Sequence, residues 1–436
     1  MNGGKDLLAA MRSALGPATS EIDPVQAAAR VAWSTIAEPG DAVAGELVSA
    51  LGAERALGLV LQAVDDGATR GGLGGEARGA TRGAAGGAAG GEPGALAVLA
   101  RDCAEAGVPG TEDLRAFAPV LRAALDRWVP RLGRADVGEV VAAARAVGAR
   151  LLVPGGPTWP ERVDDLGAHA PLVLWSRSAA TETLPALAVV GSRANTVAGA
   201  EAAAEITSIA ADAGCAIVSG AAYGIDAVAH RVAIAAGAPT VAVLAGGIDQ
   251  LYPAGNVELL RNVQRQGALL AESPPGTRPT RWRFLARNRL IAALSDATVV
   301  VEAGARSGAL NTAHHAGQLG RAVFAVPGAF SSSASVGCHR LVVQGRAQLV
   351  VHPRDPSDAV LASGFRIGPG AVDEPLVGAR HDPEVLRVLD ALGRRAMSEH
   401  EVAGRSGMSL AETADALALA QLQGLVAHTS GGWVRA

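Results

Sequence analysis

Lysine is almost missing from this chain of 436 residues. Lys5 is the single lysine, so 37 of the 38 lysine and arginine side chains are arginine. After residue 5 the chain therefore has no lysine for a Schiff base or for the phosphate loop of a Walker motif. Every permanently cationic contact beyond that point has to come from arginine.

Cysteine is scarce as well, with Cys103, Cys215 and Cys338 far apart in the sequence. Three separated cysteines make neither a disulfide framework nor a metal knuckle, and they fit a reducing cytosol. The first residues contain no signal-peptide core, and the longest apolar stretch, 232–248, is broken by glycine and proline. We expect a cytoplasmic protein with no membrane segment.

A strong excess of one charge is also lacking, because 38 basic and 42 acidic residues leave a formal charge of -4. That balance excludes a histone-like protein or a polybasic tail. The charge is uneven along the chain, however. Residues 151–367 carry 17 basic and 15 acidic side chains, whereas both flanking regions are acidic. The cationic excess is therefore central.

Helix signals dominate residues 1–149, which we interpret as a small helical domain. Asp23-Pro24 is a typical helix start, and apolar residues follow it at helical spacing. Between 67 and 94 the composition changes to mostly glycine, alanine, arginine and threonine. Such a segment buries too little to order itself, so a flexible linker or inserted loop is favoured over a phosphate-binding glycine loop.

Residues 150–363 alternate short apolar runs with segments long enough for a crossover helix. The runs are 187–190, 216–218, 240–244, 268–270, 297–301 and 322–326. This alternation predicts an α/β domain with a doubly wound, mostly parallel sheet. Ligands of such sheets bind outside the carboxyl ends of the strands, so we expect the functional site there.

A second linker is predicted at 364–380, and residues 381–436 follow as a separate domain. Helix starts are found at 382–383, 398 and 409, and a glycine-containing turn follows at 430–432. Three helices and a hairpin are typical of a winged helix. The third helix carries Glu412 and Asp415 but no arginine, which favours a protein contact over reading of duplex DNA and leaves both interpretations open.

Two strand-end turns carry the features of a phosphate site. Gly191-Ser192-Arg193 ends one apolar run and precedes a helix, so backbone amides, a helix N-terminus and an arginine converge. The segment Ser219 to Gly224 repeats this arrangement after the next run, with glycines that allow close backbone approach. A purely structural turn is the alternative, because the dinucleotide fingerprint G-x-G-x-x-G is absent.

Titratable residues flank these turns without forming a recognisable catalytic set. Asp226 and His230 are four residues apart on one helix face, where pairing within the fold is favoured over catalysis. Glu302 ends another strand and could act as a general base or ribose acceptor, or cap a helix or pair with an arginine. His314 and His315 have no partners at metal-ligand spacing, so we expect neither metal nor cofactor.

Arginine and aromatic residues are interleaved between Ser273 and Ser295. The segment contains Trp282 and Phe284 and no acid. Its five arginines are Arg278, Arg281, Arg283, Arg287 and Arg289. Guanidinium groups bind phosphates and rings stack bases, so the segment fits single-stranded nucleic acid. A solvated arginine cluster or a dimer contact is the alternative.

Ordered motifs in the central region resemble those of one bacterial family. They include VVGSR at 189–193, VSGAAYGIDAVAH at 218–230, VLAGGIDQLYPAGN at 243–256, LLAESPPG at 269–276, FLARNRLIAALSD at 284–296 and VVVEAGARSGALNTA at 299–313. In order and spacing they resemble the DprA/Smf family, the DNA-processing proteins of bacterial natural transformation. The chain departs from the family pattern at Leu285, Cys338 and Gly345-Arg346, where proline, asparagine and Gly-Ala are frequent.

The resemblance implies an extended Rossmann-like domain between an N-terminal sterile-alpha-motif-like domain and a C-terminal winged helix. It also implies a dimer that protects single-stranded DNA, displaces single-strand-binding protein and loads the RecA recombinase. Expected DNA or phosphate contacts are Gly191, Ser192, Arg193, Ser219, Gly220, Gly224, Arg281, Arg287, Asn288, Arg289, Ser307 and Gly308. Arg287 and Arg289 are expected in the same pocket, with Asp226, His230 and Glu302 supporting it.

An enzyme is the alternative function: a nucleotide-binding phosphoribohydrolase on a related Rossmann-like fold, with Glu302 as acid or base. The PGG-x-GT-x-x-E signature of those enzymes is absent, and so are a nucleophile elbow, a Walker motif and paired carboxylates. A transcription factor acting through the winged helix is a further alternative, weakened by the acidic third helix. We therefore expect a binding protein and not an enzyme.

Overall fold

The computed structural model describes residues 11, 13–15, 22–69, 95–133, 136–178, 184–362, 383–393, 395–422, 425–429 and 431–435. The predicted linker 364–380 and most of the glycine-rich segment 67–94 lie outside these ranges. Within them, helices precede and cover a nine-stranded sheet, and three further helices with a two-stranded hairpin follow it.

Four of the six helices described before the sheet start at a capping aspartate. Their bounds are Pro24–Ile36, Ala42–Leu51, Ala53–Thr69, Ala95–Glu105, Leu114–Leu132 and Val137–Ala146. Asp23 and Asp41 accept the N–H groups of Val25 and Ala44, which would otherwise lack partners at the first turn. Trp33 and Trp128 meet edge to face in the core, with ring centroids 5.0 Å apart.

The sheet is mostly parallel, as predicted. Its strands are β1 Arg150–Leu152, β2 Leu174–Ser178, β3 Ala186–Val190, β4 Ala216–Ser219, β5 Thr240–Leu244, β6 Ala268–Ala271, β7 Ala297–Val300, β8 Ala322–Ala325 and β9 Gln348–Leu349. Their order is β1-β2-β6-β5-β4-β3-β7-β8-β9, and only the β1–β2 and β2–β6 pairs are antiparallel. The apolar runs had not indicated β1, β2 or β9, because these strands are short or partly polar and lie toward the sheet edges.

The chain reverses its direction of winding beside β3. Strands β3 to β6 follow one another toward one edge, whereas β7 lies on the other side of β3. The crossover and covering helices are Val197–Asp212, Ile225–Ala235, Val257–Gln266, Arg281–Ala293, Ala309–Gln318, Val336–Val343 and Asp355–Leu361. They bury the sheet on both faces, which explains why the central strands are continuously apolar. The carboxyl ends of β3 and β7 therefore form a topological switch point, the usual place for a ligand.

The last described residues form three helices and a hairpin where the sequence predicts them. The helices are Pro383–Ala391, Glu399–Ser406 and Leu410–Leu422, and the hairpin pairs β10 Val426–Thr429 with β11 Gly432–Arg435. Ser398 and Glu401 form a capping box at the second helix, and Gly407 ends it in a left-handed conformation. The assignment of this module as a winged helix, and of the N-terminal helices as sterile-alpha-motif-like, stays a prediction.

Candidate functional site

The loop after β4 is built around the carboxylate of Asp226. Its Oδ2 accepts the N–H groups of Gly220 at 3.2 Å and Ala222 at 3.3 Å. Asn256 holds the other side of the loop, donating through Nδ2 to the carbonyls of Ala221 and Ala222 at 3.0 and 3.1 Å. Two of the loop amides that the sequence predicts to face a phosphate therefore already donate hydrogen bonds within the protein. Together with those of Asn256, these hydrogen bonds fix the shape of the loop.

Glycine is required at two positions of this loop. A Cβ at Gly220 would overlap the guanidinium group of Arg287, and a Cβ at Gly224 would overlap the carbonyl of Ser192. Gly224 also has a φ of +78°, in the region that favours glycine. Through these close approaches the β4 loop contacts both the β3 turn and the Arg281–Ala293 helix. The remaining predicted loop residue, Ser219, is buried and donates to the carbonyl of Val189 at 2.7 Å.

Arg287 places a buried cation under the loop. Its side chain donates to the carbonyl of Val243, and its Nε has no partner among the described residues. Burial lowers the pKa of Arg287 to about 10, the nearby Asp226 carboxylate raises it, and Arg193 lowers it further. The group therefore remains charged at neutral pH. Burial also raises the pKa of Asp226, opposed chiefly by Arg287.

Arg193 extends from the β3 turn across an aromatic surface. Its Cζ lies 4.6 Å from the ring centroid of Phe284, and the Cζ of Arg287 lies 5.8 Å from the same ring. Tyr252 continues the surface, with its ring centroid 5.8 Å from that of Phe284. We call Arg193, Tyr252, Phe284 and Arg287 the arginine–aromatic patch. An exposed cation over a partly buried ring, with the half-exposed ring of Tyr252 beside it, suits a flexible anion that carries planar groups.

Tyr223 and Tyr252 are site residues that the sequence reasoning missed. Both side chains are about half exposed, at 48% and 50%, and the hydroxyl of Tyr223 accepts the N–H of Gly255 at 3.2 Å. A signal for them was present, because these are the only two tyrosines of the chain and each stands within a motif at a strand end. Tyr252 lies against Phe284, so the exposed ring belongs to a contiguous aromatic surface and not to a scattered side chain.

His230 does not pair with Asp226, which corrects one expectation. Its Nδ1 lies 2.7 Å from Oγ1 of Thr240, which in turn donates to the carbonyl of Ile217 at 2.9 Å. Because that hydroxyl hydrogen is already used, Nδ1 of His230 is the donor. Burial lowers the pKa of His230 to about 3, and Arg287 adds to the shift. The residue is neutral at physiological pH and supports the sheet below the loop.

Glu302 holds the β3 turn in place. Its carboxylate accepts the backbone N–H of Thr196 at 2.9 Å and the Thr196 hydroxyl, which also caps the following helix at Gly199. The cap of that helix is Thr196, so Glu302 comes nearest to the helix-capping role among those the sequence left open, by binding the cap residue. Both carboxylate oxygens are engaged.

Asn288, Ser307 and Gly308 meet at the end of β7. Asn288 donates through Nδ2 to the carbonyl of Gly308 at 3.2 Å and to Oδ1 of Asn311 at 3.3 Å. Ser307 accepts the N–H of Ala309 at 3.3 Å, so its side chain opens the next helix. The structure brings these residues together as a loop anchor, while Gly308 itself is exposed.

The predicted arginine segment divides between two sides of its helix. Arg289, expected to share the pocket of Arg287, instead forms a bidentate ion pair with Glu272, with both N···O distances 2.7 Å. Arg283 pairs with Glu38 at 2.8 Å, and only Arg278 and Arg281 are exposed. Burial is decisive here, because a guanidinium deep in the protein needs a carboxylate partner. Arg289 therefore does not share the pocket of Arg287. Its partner Glu272 also accepts the N–H of Gly40 at 3.3 Å, and Glu38 binds Arg131 and Arg283, so these ion pairs join the N-terminal helices to the sheet domain; we call this region the junction.

Neither a metal cluster nor a long membrane helix is found in the described parts of the chain. They contain no group of three or more His, Cys, Asp or Glu side chains that could hold a metal ion. No single described helix is long and apolar enough to cross a membrane; Ala42–Leu51 and Ala53–Asp65 pass by length and composition only as a pair, bent by 115°.

Comparison with known proteins gives consistent matches. The family model for DNA recombination-mediator protein A matches residues 150–360, which include all the strand-end loops described above. A Mycobacterium tuberculosis protein that carries the DprA name is 46% identical over 303 residues, covering 66% of this chain and 77% of that protein. The chain belongs to the DprA/Smf family. The Bacillus subtilis DNA processing protein DprA is 34% identical over 233 residues, covering 52% of this chain and 75% of that protein.

Among solved structures, DprA from Streptococcus pneumoniae aligns with a TM-score of 0.49 at 28% identity. The alignment covers 70% of this chain and 92% of that one. The DprA/Smf family model ends at residue 360, so the three-helix module after residue 382 lies beyond it.

Proposed function

We propose that this DprA/Smf protein binds single-stranded DNA at the arginine–aromatic patch and does not catalyse a reaction there. In the cytoplasm it would protect incoming strands, displace single-strand-binding protein and load RecA during natural transformation or recombination. The family description supports a role in DNA recombination. The site supports the strand type, because it offers an exposed cation beside two neighbouring aromatic rings.

One observation carries the proposal: the exposed Arg193 guanidinium lies over Phe284 while Arg287 remains cationic behind it. Two positive groups near one ring allow a phosphate to be neutralised next to a stacked base. Duplex DNA hides its base faces, so the ring would contribute nothing to duplex binding. A preference for single strands follows from this arrangement.

Arg193→Ala tests the proposal, with Arg231→Ala as the matched control. Both residues are exposed, and Arg231 lies on the neighbouring helix Ile225–Ala235, outside the patch. We expect Arg193→Ala to weaken oligonucleotide binding by about 1–3 kcal/mol, the scale of one charge-assisted contact, and to reduce the salt slope by about 0.7. Fluorescence anisotropy with single-stranded and duplex oligonucleotides measures both. Equal binding by the two variants would contradict this site.

The phosphoribohydrolase alternative requires a free acid or base at Glu302. Its two carboxylate oxygens are bound to Thr196, so the side chain acts as a structural acceptor in this conformation. An assay of nucleoside monophosphate hydrolysis separates the two functions. Turnover by the wild type that is lost in Glu302→Gln would support the enzyme and overturn the binding proposal.

For the homodimer, we propose the exposed apolar surface near the β9 edge. Phe330 and Val343 are 93% and 87% exposed, and Val351 follows the short edge strand at 70%. Large exposed apolar side chains and an unpaired edge strand favour a self-complementary contact. Sedimentation of the wild type and of Val343→Asp tests it: a dimer that becomes monomeric supports the assignment, and an unchanged mass in both contradicts it.

A further inference from the structure

We infer that the cleft between the Arg281–Ala293 helix and the C-terminal three-helix module is a second phosphate-binding subsite for the same DNA strand. This inference rests on the proposed function and adds the C-terminal module to the DNA path. The cleft has a volume of about 310 Å³. Its charged lining residues are Arg278, Arg283, Arg387, Arg405, Glu38 and Asp390.

The carboxylates of the cleft are already neutralised. Glu38 accepts from Arg131 at 2.7 Å and from Arg283 at 2.8 Å. Asp390 accepts the N–H of Trp282 at 3.0 Å, at the positive N-terminal end of the helix, and Arg435 lies 3.9 Å from it. The negative groups of the cleft are therefore engaged by the protein itself.

The remaining arginines of the cleft have no acidic partner. No carboxylate within 4.0 Å of Arg278, Arg387 or Arg405 is found in the described ranges. Arg387 stacks on Trp282, with its Cζ 4.1 Å from the ring centroid, and its Nε is a buried donor without an acceptor in the same ranges. Burial lowers the pKa of Arg387, and the more distant carboxylates of Glu38 and Asp41 oppose that shift. Arg405 donates to the carbonyl of Ala391 at 3.2 Å and forms no ion pair within the described ranges. Guanidinium groups that lack an ion pair, together with an unmet donor, suit a phosphate.

The position of the cleft favours a nucleic-acid strand as the ligand. Phe284 and Arg287 are three residues apart and share one face of the helix, toward the arginine–aromatic patch. Trp282 lies on another face, toward the module. The exposed Arg278 and Arg281 stand at the N-terminal end of the same helix, and Arg278 also lines the cleft. A strand that passes from the patch over this end of the helix would meet Arg281 and Arg278 before Arg387 and Arg405.

This path gives the C-terminal module a role that its third helix does not suggest. The module would bind DNA through its first helix and through Arg405 at the end of its second, not through the acidic helix Leu410–Leu422. The residues of the third helix do not line the cleft, and its Glu412 forms an ion pair with Arg127 at 3.4 Å.

Oligonucleotide length tests the inference in the full-length protein. Thymidine oligomers of about 5 and about 15 nucleotides bracket the site size of one binding domain. We expect Arg405→Ala and Arg278→Ala each to weaken the longer oligomer about tenfold and to leave the shorter one unchanged. Arg193→Ala should weaken both lengths. Arg395→Ala is the matched control, because its side chain is 78% exposed on the same module and does not line the cleft.

The outcomes separate this inference from the proposed function. Unchanged affinity and salt slope of the longer oligomer in both Arg405→Ala and Arg278→Ala would overturn the second subsite alone, provided that Arg193→Ala still weakens binding. If Arg193→Ala also has no effect, the proposed function fails as well. A competition experiment tests an acidic protein segment as the ligand. If the wild type binds a labelled polyglutamate peptide, Arg405→Ala and Arg278→Ala weaken that binding, and the longer oligomer does not compete with it, the cleft binds acidic protein and the inference is overturned.

Discussion

Arg287 and Arg289 are two residues apart and equally buried at 5% exposure, yet they belong to different regions of the molecule. Arg287 lies beneath the β4 loop with an unmet Nε, and its nearest carboxylate, Asp226, is already bound to loop amides. Arg289 is saturated by Glu272, the carbonyl of His169 and its own helix. The partner of a buried guanidinium group, and not its burial, therefore decides whether its charge is left for a ligand.

The junction should be the more costly region to disturb. Arg289→Ala leaves the carboxylate of Glu272 buried without its bidentate partner, so we expect the free energy of unfolding to fall by about 3–5 kcal/mol. Urea unfolding measures it. Arg289→Ala with Glu272→Ala should recover part of the loss, because the uncompensated charge is gone. A stable Arg289→Ala protein that has lost DNA binding would return Arg289 to the pocket.

The pocket should respond to steric change above Arg287. Gly220→Ala places a Cβ on the Arg287 guanidinium, so either the loop or that side chain has to move. We expect a loss of about 1–3 kcal/mol in stability, together with weaker oligonucleotide binding. Gly317→Ala is the control, because its Cβ would meet open space in a helix. Normal DNA binding by Gly220→Ala would show that Arg287 does not need its observed position.

As the pH falls, the free energy of unfolding should decrease first through His230 near the pocket and only at lower pH through the junction. Burial lowers the pKa of His230 from 6.5 to about 3, so below pH 6.5 the unfolded chain takes up a proton that the folded chain refuses. Stability attributable to His230 is present above pH 6.5 and falls toward pH 3 at up to about 1.4 kcal/mol per pH unit. His230→Asn retains a donor for Thr240 without titrating, so its urea midpoint should depend less on pH. Identical profiles would contradict a neutral buried His230.

The junction contributes its own acid dependence at lower pH. Burial raises the pKa of Glu38, but the guanidinium groups of Arg283 and Arg131 outweigh that effect and lower it to about 2. Stability from Glu38 is therefore complete above about pH 4.5 and lost as the pH falls toward 2. Glu38→Gln should change the acid limb of the unfolding profile below pH 4.5 and leave its slope between pH 5 and 7 as in the wild type.

The smallest effect is expected at the ring between the two patch arginines. Phe284→Leu preserves an apolar side chain but removes the ring beneath Arg193, which should weaken oligonucleotide binding by about 0.5–1 kcal/mol. Val120→Ala, at a half-exposed apolar residue of the Leu114–Leu132 helix and outside both proposed surfaces, should bind as the wild type does. Anisotropy titrations at one fixed salt concentration compare the two. Equal affinities of both variants would remove Phe284 from the interface.

Short-range patterns in the sequence were sufficient for the architecture. Apolar runs that end in glycine or serine predicted the parallel strands from β3 to β8, because strands buried on both faces have to be continuously apolar. The same runs placed Gly191, Gly220 and Glu302 at one edge of the sheet, since carboxyl ends of parallel strands converge. The edge strand β9 was not predicted, because its two exposed residues show no alternation or apolar run.

The composition of the chain sets which chemistry is possible. With one lysine, arginine is the phosphate-binding cation, and the available rings are six tryptophans, five phenylalanines and two tyrosines. Which arginines lack a carboxylate partner depends on the folded chain. Arg283 meets a carboxylate 245 positions away and Arg289 meets one 17 positions away, whereas Arg193 and Arg278 have no such partner among the described residues. Ion pairing depends on distances of a few ångströms, and sequence spacing does not encode contacts between separate elements.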